Sequence, residues 1–403
     1  MRCKGKRLNI MSEELLPLTG IRVLEFGQIA AGPFAGSLMA DLGADVVKVE
    51  RPDGGDGMRS WPPLSENGQG DVFSENFASL NRNKRSITAN LKDPEDVQHL
   101  LNLVKACDVL VENFRPGVLE KLGLGYQELS KVNDKLIYCS ISGYGQTGPY
   151  ASKGAFDVTV QAMSGLMSVT GEQEGNPVKC GVPVGDFCAG LYAAYTILAR
   201  TLQVRAGGKG GYIDCSMLGS LIGVAALQTS ECFGSGNTPQ ALGSAHPRNA
   251  PYRAFKASDD YFVVAAGNDK LWSEVAAAVG MPELADDERF VTQRQRANNQ
   301  DEMLNLLQPK FEAQTAGYWL EELDRRGVPC SPINDYTQIL NNKHVEHLNI
   351  VRPLELPNGV QTLTTAFPIA MSDIEFSVRK PPPILGLHNT EVSNEWLERE
   401  RKP

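Results

Sequence analysis

Short apolar strands alternate with helices in the first third of the chain, and this alternation limits the fold more than any other sequence feature. Residues 20–26 (GIRVLEF) and 44–50 (ADVVKVE) both have the pattern of a short buried strand. Between them Pro33 can begin a small-residue helix and Gly43 can end it. Two further units of this kind follow, and the last ends in LIYCSISGYG. Such alternation predicts a parallel sheet with helices packed on it.

Chain length and composition shifts predict two domains. With 403 residues the chain is too long for one ordinary core. Residues 230–251 are rich in Gly, Ser, Pro and Asn, which is typical of a long connection, and strand-like and helical patterns resume after it. We predict a disordered tail over residues 1–15, the first part of a large α/β domain over 16–229, a linker and small domain over 230–335, and a return segment over 336–403 that completes the large domain.

Charge, cysteine use and hydropathy exclude several classes of protein. The net charge of −9 argues against a nucleic-acid partner. Eight scattered cysteines without a CxxC pair indicate buried free thiols in a reducing compartment. The most apolar stretch, residues 217–227, is about half as long as a membrane span, and residues 1–10 lack the apolar core of a signal peptide. We therefore predict a cytoplasmic protein with no membrane partner. The five histidines form no metal-site pattern, so we expect no metal.

The first strand, turn and helix are similar to a dinucleotide-binding unit, but the turn does not fit one. Residues 27–33 are GQIAAGP rather than GxGxxG. Pro33 also removes an amide that could hold a phosphate. We therefore expect no NAD or FAD.

Asp186 is the residue with the most chemical potential. It lies in GVPVGDFCAG, residues 181–190, just before a predicted helix that starts at Phe187. One interpretation is a helix N-cap. The other is a nucleophilic carboxylate that the helix N-terminus keeps ionised, with Gly185 and Gly190 keeping side-chain bulk away. The two interpretations are compatible.

Basic residues recur at the ends of the predicted strands. In an open parallel sheet, ligands bind outside the carboxyl ends of the strands, where such donors can hold a phosphorylated ligand. Ordinary surface charge explains them equally well. The residues are Lys48, Arg51, Arg82, Lys84, Arg85, Arg115 and Lys121.

A series of long motifs resembles one enzyme family in order along the chain. Residues 16–61 (LPLTGIRVLEFGQIAAGPFAGSLMADLGADVVKVERPDGGDGMRSW) carry the first, and NRNKRSI, DVLVENFRPGVLEKLGLGY, YCSISGYGQTGPY, the Asp186 segment, GGYIDCSM and RKPPPILGLHNT follow. The resemblance is to the family III CoA-transferases, which include formyl-CoA transferase and carnitine CoA-transferase. Over its whole length the chain looks most similar to the succinyl-CoA:glutarate and related dicarboxylate enzymes of that family.

This resemblance implies a fold and a reaction. The implied fold is α/β, with a Rossmann-like parallel-sheet large domain, a smaller α+β domain, and two chains interlocked as rings in a homodimer. Asp186 would attack an acyl-CoA to give a mixed anhydride and CoA thiolate, and then an aspartyl-CoA thioester that an acceptor carboxylate resolves. Acyl-CoA and carboxylic acid are then the substrates, with no tightly bound cofactor.

The resemblance also implies which residues form the site. The implied CoA-binding residues are Arg51, Asn81, Arg82, Asn83, Asn113, Phe114 and Lys121. The implied residues lining the active site are Gln28, Ala30, Trp61, Tyr144, His246 and Arg248.

Two departures from the family pattern bear on specificity. Ala30 stands where formyl-CoA transferase has a glutamine, and GSAHPRNAPYRAF replaces its glycine-rich lid. We expect a dicarboxyl-CoA donor, with Arg248, and His246 beside it, pairing with the distal carboxylate. The acids themselves stay open.

Two alternatives remain for the function. One is an α-methylacyl-CoA racemase on the same fold, but Phe156 stands where the racemase has its histidine base, and Phe cannot remove a proton. The other is a non-catalytic CoA-binding subunit.

Overall fold

The computed structural model describes residues 16–372 and 374–398, so the tail predicted over residues 1–15 lies outside the described residues. The strands are β1 (Arg22–Glu25), β2 (Asp45–Glu50), β3 (Leu64–Glu66), β4 (Val72–Ser74), β5 (Arg85–Thr88), β6 (Val109–Glu112), β7 (Ile137–Ser142), β8 (Gly211–Ser216), β9 (Tyr252–Lys256), β10 (Tyr261–Ala265), β11 (Cys330–Pro332), β12 (Val351–Glu355) and β13 (Gln361–Thr365).

The helices are mostly short, and one of 22 residues dominates. They are α1 (Ala31–Asp41), α2 (Glu75–Asn81), α3 (Pro94–Lys105), α4 (Val118–Lys121), α5 (Tyr126–Val132), α6 (Asp157–Met163), α7 (Val184–Arg205), α8 (Met217–Val224), α9 (Ala226–Ser235), α10 (Asp269–Ala278), α11 (Gln293–Asn298), α12 (Gln300–Phe311), α13 (Ala316–Arg325), α14 (Tyr336–Leu340), α15 (Lys343–His347) and α16 (Asn389–Glu398).

Six parallel strands form the main sheet, in the order β5-β2-β1-β6-β7-β8. Counted along the chain as six parallel strands, this is the order 3-2-1-4-5-6 of a doubly wound sheet. The strand order reverses between β1 and β6, where Val23 pairs with Val46 on one side and with Val109 on the other. The predicted α/β parallel sheet is therefore confirmed.

Contacts divide the chain into two compact units. One comprises the residues up to Ser164, Gly181–Thr229 and the chain from Glu346 onward; the other comprises Gly165–Cys180 and Ser230–Val345. The second unit thus includes a segment that the sequence analysis placed in the large domain, and the return to the first unit begins later than residue 336. The second unit contains the antiparallel sheet β11-β10-β9 and a core that includes Trp272, Phe311 and Trp319.

Each face of the main sheet is covered in a different way. On one face Leu100, Leu103 and Val104 of α3 join an apolar cluster with Val392 and Trp396 of α16. On the other, α1 and α7 approach closely because Gly190 has no side chain: a Cβ there would lie 2.9 Å from the carbonyl oxygen of Ala31. Gly190 was expected to clear space around Asp186. In the structure, Gly190 instead permits the close contact between α1 and α7.

A buried cluster of four charges lies under the carboxyl end of β1. Lys48 Nζ is 3.0 Å from Glu25 Oε1 and 2.9 Å from Asp56 Oδ2, and Lys84 Nζ is 2.7 Å from Glu25 Oε2. All four side chains are essentially inaccessible to solvent. Two cations and two carboxylates balance, which is the condition under which charges are tolerated in a core.

Lys84→Met should destabilise the protein because Glu25 loses one of its two cations. Removing one partner of a buried ion pair costs about 3–5 kcal/mol of unfolding free energy. Urea unfolding followed by circular dichroism, at one protein concentration, measures this. Lys131→Met is the matched control, since its pair with Glu128 is exposed and should be worth less than about 1 kcal/mol. Equal effects of the two substitutions would contradict a structural role for the cluster.

Candidate active site

A cavity of about 420 Å³ opens at the carboxyl ends of β1, β6 and β7. This position includes the point where the strand order reverses, at which open α/β sheets bind ligands. The cavity is lined by Gln28, Ile29, Ala30, Ala31, Asn113, Phe114, Arg115, Pro116, Ile141, Ser142, Gly143, Tyr144, Ala151, Lys153, Ala155, Phe156, Asp157, Asp186 and Met217.

Hydrogen bonds with Asn113, Asp56 and Lys48 fix the loop after β1. Gln28 N donates to Asn113 Oδ1 at 2.8 Å, and Asn113 Nδ2 donates to Gln28 O at 2.9 Å, across the reversal point. Ile29 has a φ of +64°, unusual for a β-branched residue, and its N–H donates to the Asp56 carboxylate. Lys48 Nζ donates to the carbonyl oxygen of Gly27 at 2.6 Å. The buried charges therefore set the shape of this cavity wall.

Asp186 lies in the first turn of α7, not at its N-cap. The helix begins at Val184 rather than near Phe187, and Pro183 takes the N-cap position without a side-chain hydrogen bond. Asp186 is the third helical residue, after Val184 and Gly185. The N-cap interpretation is therefore wrong.

The Asp186 carboxyl is half-buried, and no residue within the described ranges donates a hydrogen bond to it. Burial, and second the negative charge of Asp157, raise its pKa to about 6. The sequence analysis expected the helix end to hold it ionised. In the structure, desolvation and a neighbouring carboxylate act in the opposite direction. At neutral pH the group is still mostly ionised, and more basic than an ordinary aspartate.

Asp157 is the cavity residue that sequence reasoning missed as a functional group. Its Oδ1 accepts a hydrogen bond from Gly185 N at 2.8 Å, and its Oδ2 accepts one from Gln161 Nε2 at 2.7 Å. The available signal was its position next to Phe156, which stands where the racemase has its histidine base.

Several predicted site residues meet at the cavity. Gln28, Ala30, Asn113, Phe114 and Tyr144 line it together with Asp186. Three others in the same unit lie outside its lining and are exposed: Arg51, whose Nε donates to Gly55 O at 3.0 Å, Trp61, and Lys121 at the end of α4.

Asn81, Arg82 and Asn83 lie inside the fold rather than on its surface, and their predicted contact with CoA stays a prediction. All three are buried. Arg82 Nη2 is 2.6 Å from Asp41 Oδ2, and Asn83 Nδ2 donates to Asp41 Oδ1 at 2.8 Å. Asn81 Oδ1 accepts from Lys84 Nζ. Most of these buried polar groups are thus paired inside the fold, although Arg82 Nε has no hydrogen-bond partner among the described residues.

His246 and Arg248 belong to the second unit. Arg248 Nη1 forms an ion pair with Glu231 at 2.9 Å, and Arg248 borders a separate hollow of about 490 Å³ together with Arg294. His246 Nδ1 accepts from the backbone N–H groups of Arg248 and Asn249, and burial lowers its pKa. Their predicted contact with substrate stays a prediction.

Two cations line the cavity beside the carboxylates. The Arg115 guanidinium packs over Gly154, where a Cβ would lie 3.0 Å from Nη2. Lys153 Nζ lies 3.9 Å from the centre of the Tyr150 ring. Arg115 was among the basic residues expected at strand ends, whereas Lys153 was not. The arrangement can hold an anionic ligand near Asp186.

Other kinds of site find no support over residues 16–372 and 374–398. No group of three or more His, Cys, Asp or Glu side chains there could hold a metal ion. None of the helices in those ranges has the length and apolar character of a membrane span.

Comparison with known proteins identifies the family. The model described as CoA-transferase family III matches residues 18–389. Succinyl-CoA:glutarate CoA-transferase of Mus musculus is 38% identical over 385 residues, which are 96% of this chain and 87% of the relative. Succinate–glutarate CoA-transferase of Agrobacterium fabrum is 38% identical over 391 residues, 96% of this chain and 98% of the relative.

A solved structure has the same fold. The crystal structure of a CAIB/BAIF family protein from Brucella suis superposes with a TM-score of 0.84 at 36% identity, covering 95% of this chain and 100% of that chain. With the family model spanning nearly the whole described chain, the protein belongs to CoA-transferase family III and is a CoA-transferase.

Proposed function

We propose that the protein transfers CoA from succinyl-CoA, or another dicarboxyl-CoA, to a free carboxylic acid, with Asp186 as the nucleophile. The observation that carries this is the Asp186 carboxylate, half-buried on the wall of the strand-end cavity with no hydrogen-bond donor among the described residues. The succinyl-CoA and glutarate named for the relatives favour dicarboxylic substrates.

The proposed chemistry passes the CoA thiol through Asp186. A carboxylate oxygen attacks the thioester carbonyl carbon, the C–S bond breaks, and a mixed anhydride and CoA thiolate form. The thiolate attacks the Asp186 carbonyl carbon and expels the donor acid, leaving an aspartyl-CoA thioester. The acceptor carboxylate then repeats these steps in reverse order and regenerates Asp186. The raised pKa makes the carboxylate a better nucleophile while it stays ionised at neutral pH.

We propose that CoA binds to the accessible residues of the unit that contains Asp186. Asn113 and Phe114 line the cavity, and Arg51 and Lys121 present exposed cations on the same unit. Arg115 adds a guanidinium at the cavity. The seven described cysteines are free thiols, which fits the proposed cytoplasmic location.

A racemase is disfavoured by the lining of the cavity. Phe156 replaces the expected base and is 79% exposed, and no histidine is among the described residues that line the cavity. A CoA-binding subunit would lack the covalent steps, so both alternatives fail if CoA transfer depends on Asp186.

We also propose the interlocked homodimer with its two-domain chain. Leu191, Tyr195 and Leu202 project from α7 at 52%, 73% and 73% exposure. A row of large apolar side chains on the central helix of the unit favours burial against another chain.

Asp186→Asn and Asp186→Ala should fold and bind CoA but lose turnover by several orders of magnitude, because the nucleophile is gone. Transfer from succinyl-CoA to glutarate, followed by mass spectrometry of the CoA esters, measures the loss. With succinyl-CoA alone, the wild type should release succinate in a burst and carry a hydroxylamine-sensitive CoA adduct, and the variants should do neither. Near-normal turnover in either variant would exclude the mechanism.

Arg248→Ala should reduce kcat/KM for dicarboxylic acids about 10- to 100-fold and leave monocarboxylic acids nearly unchanged, if Arg248 holds the distal carboxylate with a charged hydrogen bond. A panel of free acids with succinyl-CoA as donor tests this. Arg294→Ala, beside the same hollow, is the control. Arg115→Ala should weaken CoA binding equally for both classes of acid. Equal losses for both classes in Arg248→Ala would reject its role.

Tyr195→Glu combined with Leu202→Glu should disrupt the dimer, because two charges would be buried at the proposed interface. The wild type should sediment at twice the chain mass of 43.8 kDa, and the double variant at the monomer mass or as aggregate. Leu363→Glu, also exposed but on β13, is the control. A double variant that sediments like the wild type would place the interface elsewhere.

A further inference from the structure

We infer that Asp157 is a positioning residue for Asp186: its carboxylate fixes the first turn of α7 and sets a negative charge beside the nucleophile. This role rests on the proposed function of Asp186. Asp157 and Asp186 are two carboxylates that line the same cavity.

Both oxygens of Asp157 are engaged. Oδ1 accepts the Gly185 N–H at 2.8 Å, and Oδ2 accepts from Gln161 Nε2 at 2.7 Å. Gln161 is fully buried one turn further along α6. The side chain is therefore held in one orientation by a donor from each of two helices.

The bond to Gly185 replaces the missing cap of α7. The first backbone N–H groups of a helix have no partner within it, and a side chain at the N-cap usually accepts one of them. Here Pro183 occupies the N-cap and makes no such bond, whereas Asp157 accepts the N–H of the second helical residue from outside. Gly185 is needed for this approach, because a Cβ there would lie 2.9 Å from Asp157 Oδ1. Asp186 follows directly, so the Asp157 contact fixes its backbone.

Asp157 also acts through charge. Besides burial, it is the group that raises the pKa of Asp186, and it likewise raises that of Cys188 on the same helix. Cations Arg115 and Lys153, and the Tyr144 phenol, line the same cavity. The other titratable groups on the elements packed against α7 are Asp41 of α1, which pairs with Arg82; Tyr138 and Cys139 of β7; and Tyr212, Asp214 and Cys215 of β8.

The negative charge of Asp157 favours the first chemical step. When Asp186 attacks the thioester, its carboxylate oxygen becomes part of a neutral anhydride, and the negative charge leaves with the CoA sulfur. Repulsion between Asp157 and Asp186 is therefore present before the attack and relieved after it. An interaction that is relieved as the reaction proceeds lowers the barrier.

Asp157→Asn separates this role from a purely structural one. The amide keeps an oxygen for Gly185 N–H, and Gln161 can turn its own amide to accept from the new NH₂ group, so the fold should persist. Wild-type activity should fall as the pH drops through about 6, where Asp186 takes up a proton. Without the neighbouring charge, this acidic limb of kcat/KM should move to lower pH. At pH 8, kcat should fall by up to about tenfold for each pKa unit of repulsion removed, with little change in KM.

Gln161→Met is the matched control, since it removes a hydrogen bond to Asp157 but keeps the charge; its acidic limb should stay at the wild-type pH. An Asp157→Asn limb that coincides with the wild type, whatever its kcat, would overturn the inference. The Asp186→Asn variant distinguishes the two levels of failure. If it is inactive while Asp157→Asn titrates like the wild type, only the Asp157 role fails; if it is active, the proposed function fails as well.

Discussion

The ion cluster formed by Lys48, Glu25, Lys84 and Asp56 determines the shape of the cavity at the strand ends. Lys48 joins the carbonyl of Gly27 to two buried carboxylates, and Asp56 in turn holds the N–H of Ile29. An unpaired charge in this core would be costly, so none of the four groups can move alone. The loop that carries Gln28 and Ala30 is therefore fixed before any ligand arrives, and the left-handed Ile29 is held in place.

Three of the cations predicted at the strand ends neutralise carboxylates inside the fold and are not among the residues that line the cavity. Lys48, Lys84 and Arg82 all neutralise buried carboxylates. Coenzyme A carries several phosphate charges, and the protein has a net charge of −9. The proposed binding of CoA requires local, exposed donors, and Arg115 and Lys153 at the cavity are of this kind. Positive residues at the strand ends consequently have two separate functions, and burial is what distinguishes them.

Sequence reasoning predicted the sheet well, because apolar strands such as residues 20–26 keep their pattern whatever their surroundings. It predicted Asp186 through family motifs and mistook its place in the helix, since nothing local shows that Pro183 enters the helix first. It did not foresee the burial of Arg82 and Asn83, because polar residues do not reveal burial, and their partner Asp41 lies some 40 positions earlier. Asp157 was missed as a functional group for a similar reason: its contact with Gly185 spans 28 positions.

The basicity of Asp186 bears on which intermediate accumulates. In the proposed mixed anhydride, the thiolate can attack either carbonyl carbon, and the less basic carboxylate is the better leaving group. An ordinary side-chain carboxylic acid has a pKa near 4, whereas burial and Asp157 raise that of Asp186 to about 6. Attack at the Asp186 carbonyl, which expels the substrate acid, is then favoured over return to the donor thioester. The same preference slows the final transfer to the acceptor, so the aspartyl-CoA thioester should be the intermediate at which the enzyme waits for its second substrate.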